Sequence, residues 1–193
     1  EKGEWQGCTV MCVGSGPSLT AEDAALAQEW QARSDRHKTI VTNTTFKLFP
    51  AADILFFYDK AWYDYYQSEG ELDKFSGRLV TPSMTLGAER ISFENIHHVQ
   101  NSGAASVALA DYLGADKIIL LGMDAGFNGE QRHWHDAHPP GLYNAATWYK
   151  WTASFFALSL LIKTPVVNCS RQTAITCWPR EPLESQLDHM ISD

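Results

Sequence analysis

Val10-Met11-Cys12-Val13-Gly14-Ser15-Gly16-Pro17-Ser18-Leu19 runs from a short apolar segment into a turn of glycine, serine and proline, and a helical pattern follows from residue 20. Strand, glycine turn and helix in that order make an anion site, because free amides and the helix dipole both favour negative charge there. Gly14 and Gly16 are expected to allow close backbone approach and positive φ, and Pro17 is pre-set for a turn or a first helical position. The ligand expected at this turn carries phosphate. The same residues also serve tight turns for steric reasons alone, so the reading needs support from the rest of the chain.

That support comes from the order of elements. Thr9–Val13 reads as a strand buried on both faces, and 21–33 as a helix with Glu22 and Asp23 in its first turn. Further strands are expected at 39–42, 53–58, 77–81, 96–100, 117–121 and 165–168. Helices are expected at 60–69, 104–113 (closed by Gly114), 144–162 and 183–190. Apolar strands alternating with helices predict α/β architecture: one doubly wound, mostly parallel sheet with helices on both faces, residues 1–193 forming a single domain. Ligands of such sheets bind outside the carboxyl ends of the strands. Six of those ends carry polar or small residues: Gly14-Ser15, Asn43, Asp59, Ser102, Asp124 and Asn168-Cys169-Ser170.

Composition narrows the function. An apolar fraction of 45% and a charged fraction of 20% describe a globular chain, and a net charge of −8 disfavours non-specific binding to nucleic acid or anionic membrane. The apolar run 153–162 is too short to span a bilayer, so no membrane insertion is expected. The first residues, Glu1-Lys2-Gly3-Glu4, show no basic segment leading into an apolar core, and a cytoplasmic setting is expected. Cys8, Cys12, Cys169 and Cys177 show neither paired spacing nor the density of a disulfide framework and read as core thiols. Cys8 and Cys12, four apart, should face one side of the sheet.

The chemistry-bearing stretch is Arg132-His133-Trp134-His135-Asp136-Ala137-His138, three of the seven histidines within six positions. Imidazole titrates near neutrality and suits a general base, alternating histidines can share a metal, and a solvated loop can carry them for local hydrogen bonding. Asp124, after an apolar strand, can receive a sugar hydroxyl or a divalent ion, or cap a turn. Asn43 offers an amide to a base or sugar, or caps a helix. Asp59 is either a ligand group at the rim or half of a surface ion pair with Lys60. Ser102-Gly103 offers a second set of helix N-terminal amides, and Tyr143 is the aromatic near the long helix assigned to the site.

Taken together, Val13-Gly14-Ser15-Gly16-Pro17-Ser18-Leu19, Thr42-Asn43, Asn101-Ser102-Gly103 with the apolar stretch to Leu121, and Gly122-Met123-Asp124 resemble one superfamily. It comprises the sialyltransferases of glycosyltransferase family 42, the motility accessory factors and the 6-hydroxymethylpterin diphosphokinase-like proteins; small uncharacterised phage proteins are also similar. The resemblance runs from residue 8 to about residue 178. It implies a Rossmann-like fold holding a nucleotide or nucleotide-sugar, with Gly14, Ser15, Gly16 and Pro17 against the phosphate or nucleoside. Asn43 matches an asparagine that contacts the nucleotide, Ser102-Gly103 a second nucleotide-side turn, and Tyr143 a tyrosine that steadies the leaving phosphate. Ser18, Asp59 and Asp124 join the expected nucleotide-binding set from their own positions at the strand ends. The general base it implies is His138, then His135, or His133 by analogy with the diphosphokinase-like branch. Where the sialyltransferases carry Asn-Gly-Pro-Ser and Gly-Ile-Asp-Phe-Tyr, this chain has Ser15-Gly16-Pro17-Ser18 and Gly122-Met123-Asp124-Ala125-Gly126, so sialic acid is not implied as the sugar.

The function expected is a nucleotide-dependent, glycosyltransferase-like transferase with a histidine base and no required metal. Its acceptor would be a glycan, a protein or modified nucleic acid, in a bacterial or phage-infected cell, and a homo-oligomer is compatible with this. Two alternatives stand beside it. One is a pyrophosphokinase of the pterin diphosphokinase-like type with Mg²⁺ on Asp124 and Asp59; the other is a nucleotide-binding module without catalysis.

Overall fold

The computed structural model describes residues 1–193 except 100, 128, 136–137, 140, 143–149 and 188–193, and the side chain at 97. Seven parallel strands form one sheet in the order β5-β4-β3-β2-β1-β6-β7. They are β1 (Thr9–Val13), β2 (His37–Thr42), β3 (Ile54–Phe56), β4 (Arg78–Thr81), β5 (Glu89–Arg90), β6 (Lys117–Leu121) and β7 (Val166–Asn168). The helices are α1 (Ala21–Ala32), α2 (Lys60–Ser68), α3 (Ser102–Leu113), α4 (Trp151–Ser159) and α5 (Leu183–Leu187), with 3-10 turns at Asn43–Lys47, Leu72–Lys74 and Glu94–His98.

The central strands are apolar at successive positions because both faces of the sheet are covered. Alternation then sends Val10, Cys12, Ile40, Ile118 and Leu120 into the core beneath α3, and Met11, Val13, Val41, Ile119 and Leu121 into the core beneath α1. Cys8 and Cys12 share the α3 side, as their spacing requires. All four cysteines are free thiols, and burial pushes Cys12 and Cys169 up to about 12, so both stay protonated.

Helix starts are set by their own caps. Thr20 accepts from the Asp23 amide at 3.1 Å while the Asp23 carboxylate accepts from Thr20 N–H, a reciprocal capping box that opens α1. The same carboxylate receives both forks of Arg171 (2.8 and 2.9 Å), which ties α1 to the segment after β7 and holds Asp23 below the usual carboxylate range. Asp59 caps α2 and Asn101 caps α3. Gly114 ends α3 in the left-handed region, φ +90°.

Two sequence expectations are corrected. Residues 96–99 are not a strand: they belong to the 3-10 turn Glu94–His98 and its exit, while residue 100 lies outside the described residues. The strand at that edge is Glu89–Arg90, two exposed charged residues. Apolar patterning could not reveal it, because an edge strand with no sheet beyond it is protected by charge rather than by burial. Arg78 on β4 clasps Glu89 through both guanidinium arms at 2.9 and 2.8 Å. Of the long helix expected over 144–162, the described part is α4, Trp151–Ser159.

The strand order places the ligand cleft. From β1 the chain winds outward through β2, β3 and β4 to β5, then returns through α3 to lay β6 on the other side of β1. The strand order therefore reverses between β1 and β6, and a crevice opens at the strand ends there.

Candidate functional site

A cavity of ≈ 340 Å³ occupies that crevice. Five of the six anticipated strand ends reach it: Gly14–Gly16 after β1, Asn43 after β2, Asp59 after β3, Ser102-Gly103 at the start of α3, and Asp124 after β6. The sixth does not. Asn168 and Ser170 brace the neighbouring turn instead: Ser170 Oγ accepts from the Met123 amide at 2.8 Å, and Asn168 Oδ1 accepts from the Ser170 amide.

Following the amides of the glycine turn changes its reading. Gly14 N–H donates to Leu121 O and Gly16 N–H to Gly122 O, both at 2.8 Å, Ser18 N–H goes to Asp124, and Pro17 has none. These three N–H groups are spent on Leu121, Gly122 and Asp124 and are not turned toward the cavity. Neither Gly14 nor Gly16 has a positive φ. Glycine is needed for contact with the chain itself: a Cβ at Gly14 would lie 2.6 Å from Gly122 O, and one at Gly16 would lie 2.2 Å from Asp124 Oδ1. The N-terminus of α1 is closed by Thr20, and Pro17 and Ser18 do not line the cavity. The helix end that does face it is that of α3, whose first residues, Ser102 and Gly103, belong to the group of N–H donors without intrahelical partners.

Asp124 holds this frame together. It is 4% exposed, its Oδ2 accepts from the Ser18 amide at 2.8 Å and its Oδ1 from the Ser18 hydroxyl at 2.7 Å. Burial raises its pKa, partly offset by the two Ser18 bonds and by Arg180. The folded protein thus binds this proton more tightly than the unfolded chain, whose carboxyl titrates near 3.9, so the group's contribution to stability falls as pH rises from about 4 through the folded-state titration. In Asp124→Asn that slope disappears. Urea unfolding at successive pH values should show the variant gaining on the wild type as pH rises from 4 to 7; parallel profiles would exclude the assignment.

Asn43 and Ala125 are the two non-glycine residues with positive φ among the described residues, each at +48°, and both line the cavity. Asparagine tolerates this conformation by local hydrogen bonding, alanine only at a cost of order 1 kcal/mol. The Asn43 amide reaches across the floor to Ser102 Oγ at 3.3 Å, so it links two walls rather than capping a helix. Asp59 Oδ1 accepts from the Ala61 amide at 2.8 Å, and Lys60 pairs with Asp64, not Asp59.

The histidine loop forms the remaining wall. His133 and His138 line the cavity, while His135 does not but touches both, its ring centroid 4.9 Å from His133 and 5.0 Å from His138. His133 Nδ1 lies 3.3 Å from the Ser15 carbonyl. A carbonyl only accepts, so the ring nitrogen facing Ser15, Nδ1, is the one that carries a proton in this contact. Among the described residues no three His, Cys, Asp or Glu side chains are placed to hold a metal ion, and Asp136 and Tyr143 lie outside them.

Sequence reasoning missed several lining residues. Tyr58 donates to the carbonyls of Ile96 and Val99 and is pushed up to about 12 by burial, so it stays a phenol. Trp151 and Phe155, four apart on α4, present an aromatic wall, a spacing visible in the sequence. Arg132, the sole Lys or Arg among the described lining residues, has its guanidinium 5.3 Å from the Phe127 ring centroid.

No family model matches this sequence, and no curated protein does. Among solved structures, the chain is similar to the MAf glycosyltransferase from Magnetospirillum magneticum AMB-1, with a TM-score of 0.63 and 17% identity. The match covers 94% of this chain and 34% of that one, so this chain spans about a third of its length. The likeness is one of fold: a parallel sheet with helices on both faces. No helix among the described residues is long and apolar enough to cross a membrane.

Proposed function

We propose that residues 1–193 bind a nucleotide-sugar in this cavity and act as a glycosyltransferase-like transferase. The carrying observation is that a histidine with its Nδ1 proton turned into the protein stands on the wall of a crevice built from five strand and helix ends. In this reading the amides of Ser102 and Gly103, with the charge of Arg132, receive the phosphates, and Asn43 meets the sugar or base. His133 Nε2 takes the proton of an acceptor hydroxyl as its oxygen bonds to the sugar carbon. The bond to the phosphate oxygen breaks, and the electron pair leaves with the nucleotide. The Mg²⁺-dependent alternative is less well supported, since Asp124 is bound on both oxygens by Ser18 and Asp59 caps α2.

A thermal-shift series with CMP, UDP, GDP and their sugar conjugates, each with and without Mg²⁺, tests the proposal. A ligand at a hundred times its Kd adds roughly 2.7 kcal/mol, or roughly 5–11 °C for a chain of this size. A metal-independent rise with one nucleotide or its conjugate is expected. A rise only with ATP or GTP plus Mg²⁺ would transfer the site to phosphoryl chemistry, and no rise with any of them would remove the nucleotide altogether.

A further inference from the structure

We infer that Trp134, which does not line the cavity, is a positioning residue that selects the tautomer of His133. The inference rests on the reading of His133 as the base. Trp134 is held at two points on two different segments. Its backbone N–H donates to the Ser15 carbonyl at 3.2 Å, and its indole N–H donates to Thr45 Oγ1 at 3.2 Å, in the 3-10 turn after β2. The ring also packs against the core beneath α1.

Thr45 is built to receive that indole. It is fully buried, and its own hydroxyl proton goes to Gly14 O at 3.1 Å, which leaves its oxygen as an acceptor; Ser15 Oγ lies 2.8 Å away. An indole N–H only donates, so Thr45 Oγ1 is the acceptor of the Trp134 bond.

His133 is the residue immediately before this double anchor, and its Nδ1 uses the same Ser15 carbonyl that Trp134 N–H uses. One carbonyl has two lone pairs and serves both donors. At 3.3 Å the imidazole bond is long for N–H···O, and an imidazole left to itself in water favours the proton on Nε2, the tautomer that could not take a proton there. The indole pinned to Thr45 fixes the segment that carries the ring beside Ser15, and His135, stacked on His133 at 4.9 Å, packs against its face. The chain of causes runs from the Thr45 hydroxyl through the Trp134 indole to the Nδ1 proton that His133 turns to Ser15.

The test needs no substrate. Long-range ¹H–¹⁵N correlation spectra of the full chain report which ring nitrogen carries the proton, and His133→Gln assigns the His133 signals by their loss. The neutral imidazole of the wild type should show a protonated Nδ1 and an unprotonated Nε2. Trp134→Phe keeps an aromatic ring but lacks the donor, and should move the tautomer ratio several-fold toward Nε2–H. Thr45→Val, which removes the acceptor and leaves the indole, should move it the same way. Thr45→Ser, which keeps the hydroxyl, should not. A wild-type His133 protonated on Nε2, or a ratio unmoved in both Trp134→Phe and Thr45→Val, overturns the inference. Failure of the nucleotide reading looks different: no ligand raises the melting temperature, yet the tautomer still follows Trp134 and Thr45.

Discussion

Gly16→Ala is expected to lower stability by about 3 kcal/mol, the upper part of the range for forcing atoms into a packed interior, and to lower Tm by roughly 6–12 °C. The added methyl would meet Asp124 Oδ1 at 2.2 Å, Asp124 Cγ at 2.5 Å and Gly122 O at 2.6 Å. None of these can yield cheaply. The carboxylate is held on both oxygens by Ser18, and the Gly122 carbonyl accepts the Gly16 amide itself. Relief means separating the turn after β1 from the turn after β6, which would deform the cavity between them, so ligand-induced stabilisation should vanish along with the lost stability. Gly126→Ala is the matched control, since it also lines the cavity but its Cβ would meet only Asp124 O, at an ordinary 3.7 Å. Differential scanning calorimetry of both variants decides the matter: equal melting temperatures would show that the two turns are not locked together.

His133→Gln is expected to leave the melting temperature within a few degrees of the wild type and to reduce transfer by roughly 10²–10⁴-fold, the range a positioned general base supplies. Glutamine keeps a side-chain N–H able to reach the Ser15 carbonyl but has no nitrogen lone pair to accept a proton. The informative comparison is binding against turnover. If His133 is the base, the nucleotide-induced thermal shift survives and the rate is lost. His138→Gln provides the contrast, because His138 also faces the cavity and is the position that the family resemblance favours. The variant with the larger loss in kcat identifies the base; equal small losses in both would place the proton transfer elsewhere.

The strands and helices were legible wherever burial imposes a repeat. β1, β6 and α3 lie in the centre of the molecule, and their apolar runs announced both type and position. Legibility failed at the edge, where β5 is two charged residues, and at the 3-10 turn Glu94–His98, whose apolar Ile96 resembles a strand residue. At the site, the convergence of strand ends followed from topology, so Asn43, Ser102 and Gly103 could be anticipated. The direction of amides could not. Gly14 and Gly16 read the same whether their N–H groups face a phosphate or, as here, the carbonyls of Leu121 and Gly122. Trp134 and Thr45, 89 positions apart, carry no local signal at all.

The placement of β1 inside the sheet, between β2 and β6, also bears on how the chain is made. One side of β1 pairs with β2 within about thirty residues, but the other waits for β6, with Thr9 opposite Lys117. At ribosomal rates of about 5–20 residues per second, that second partner is translated roughly 5–20 s after the first strand. During that interval the nascent chain carries an unpaired, apolar strand edge, the kind of surface that invites association with other chains. Release from that hazard comes only when Lys117–Leu121 clears the exit tunnel. Synonymous changes that slow translation before that point would therefore reduce the yield of folded protein without altering a single side chain.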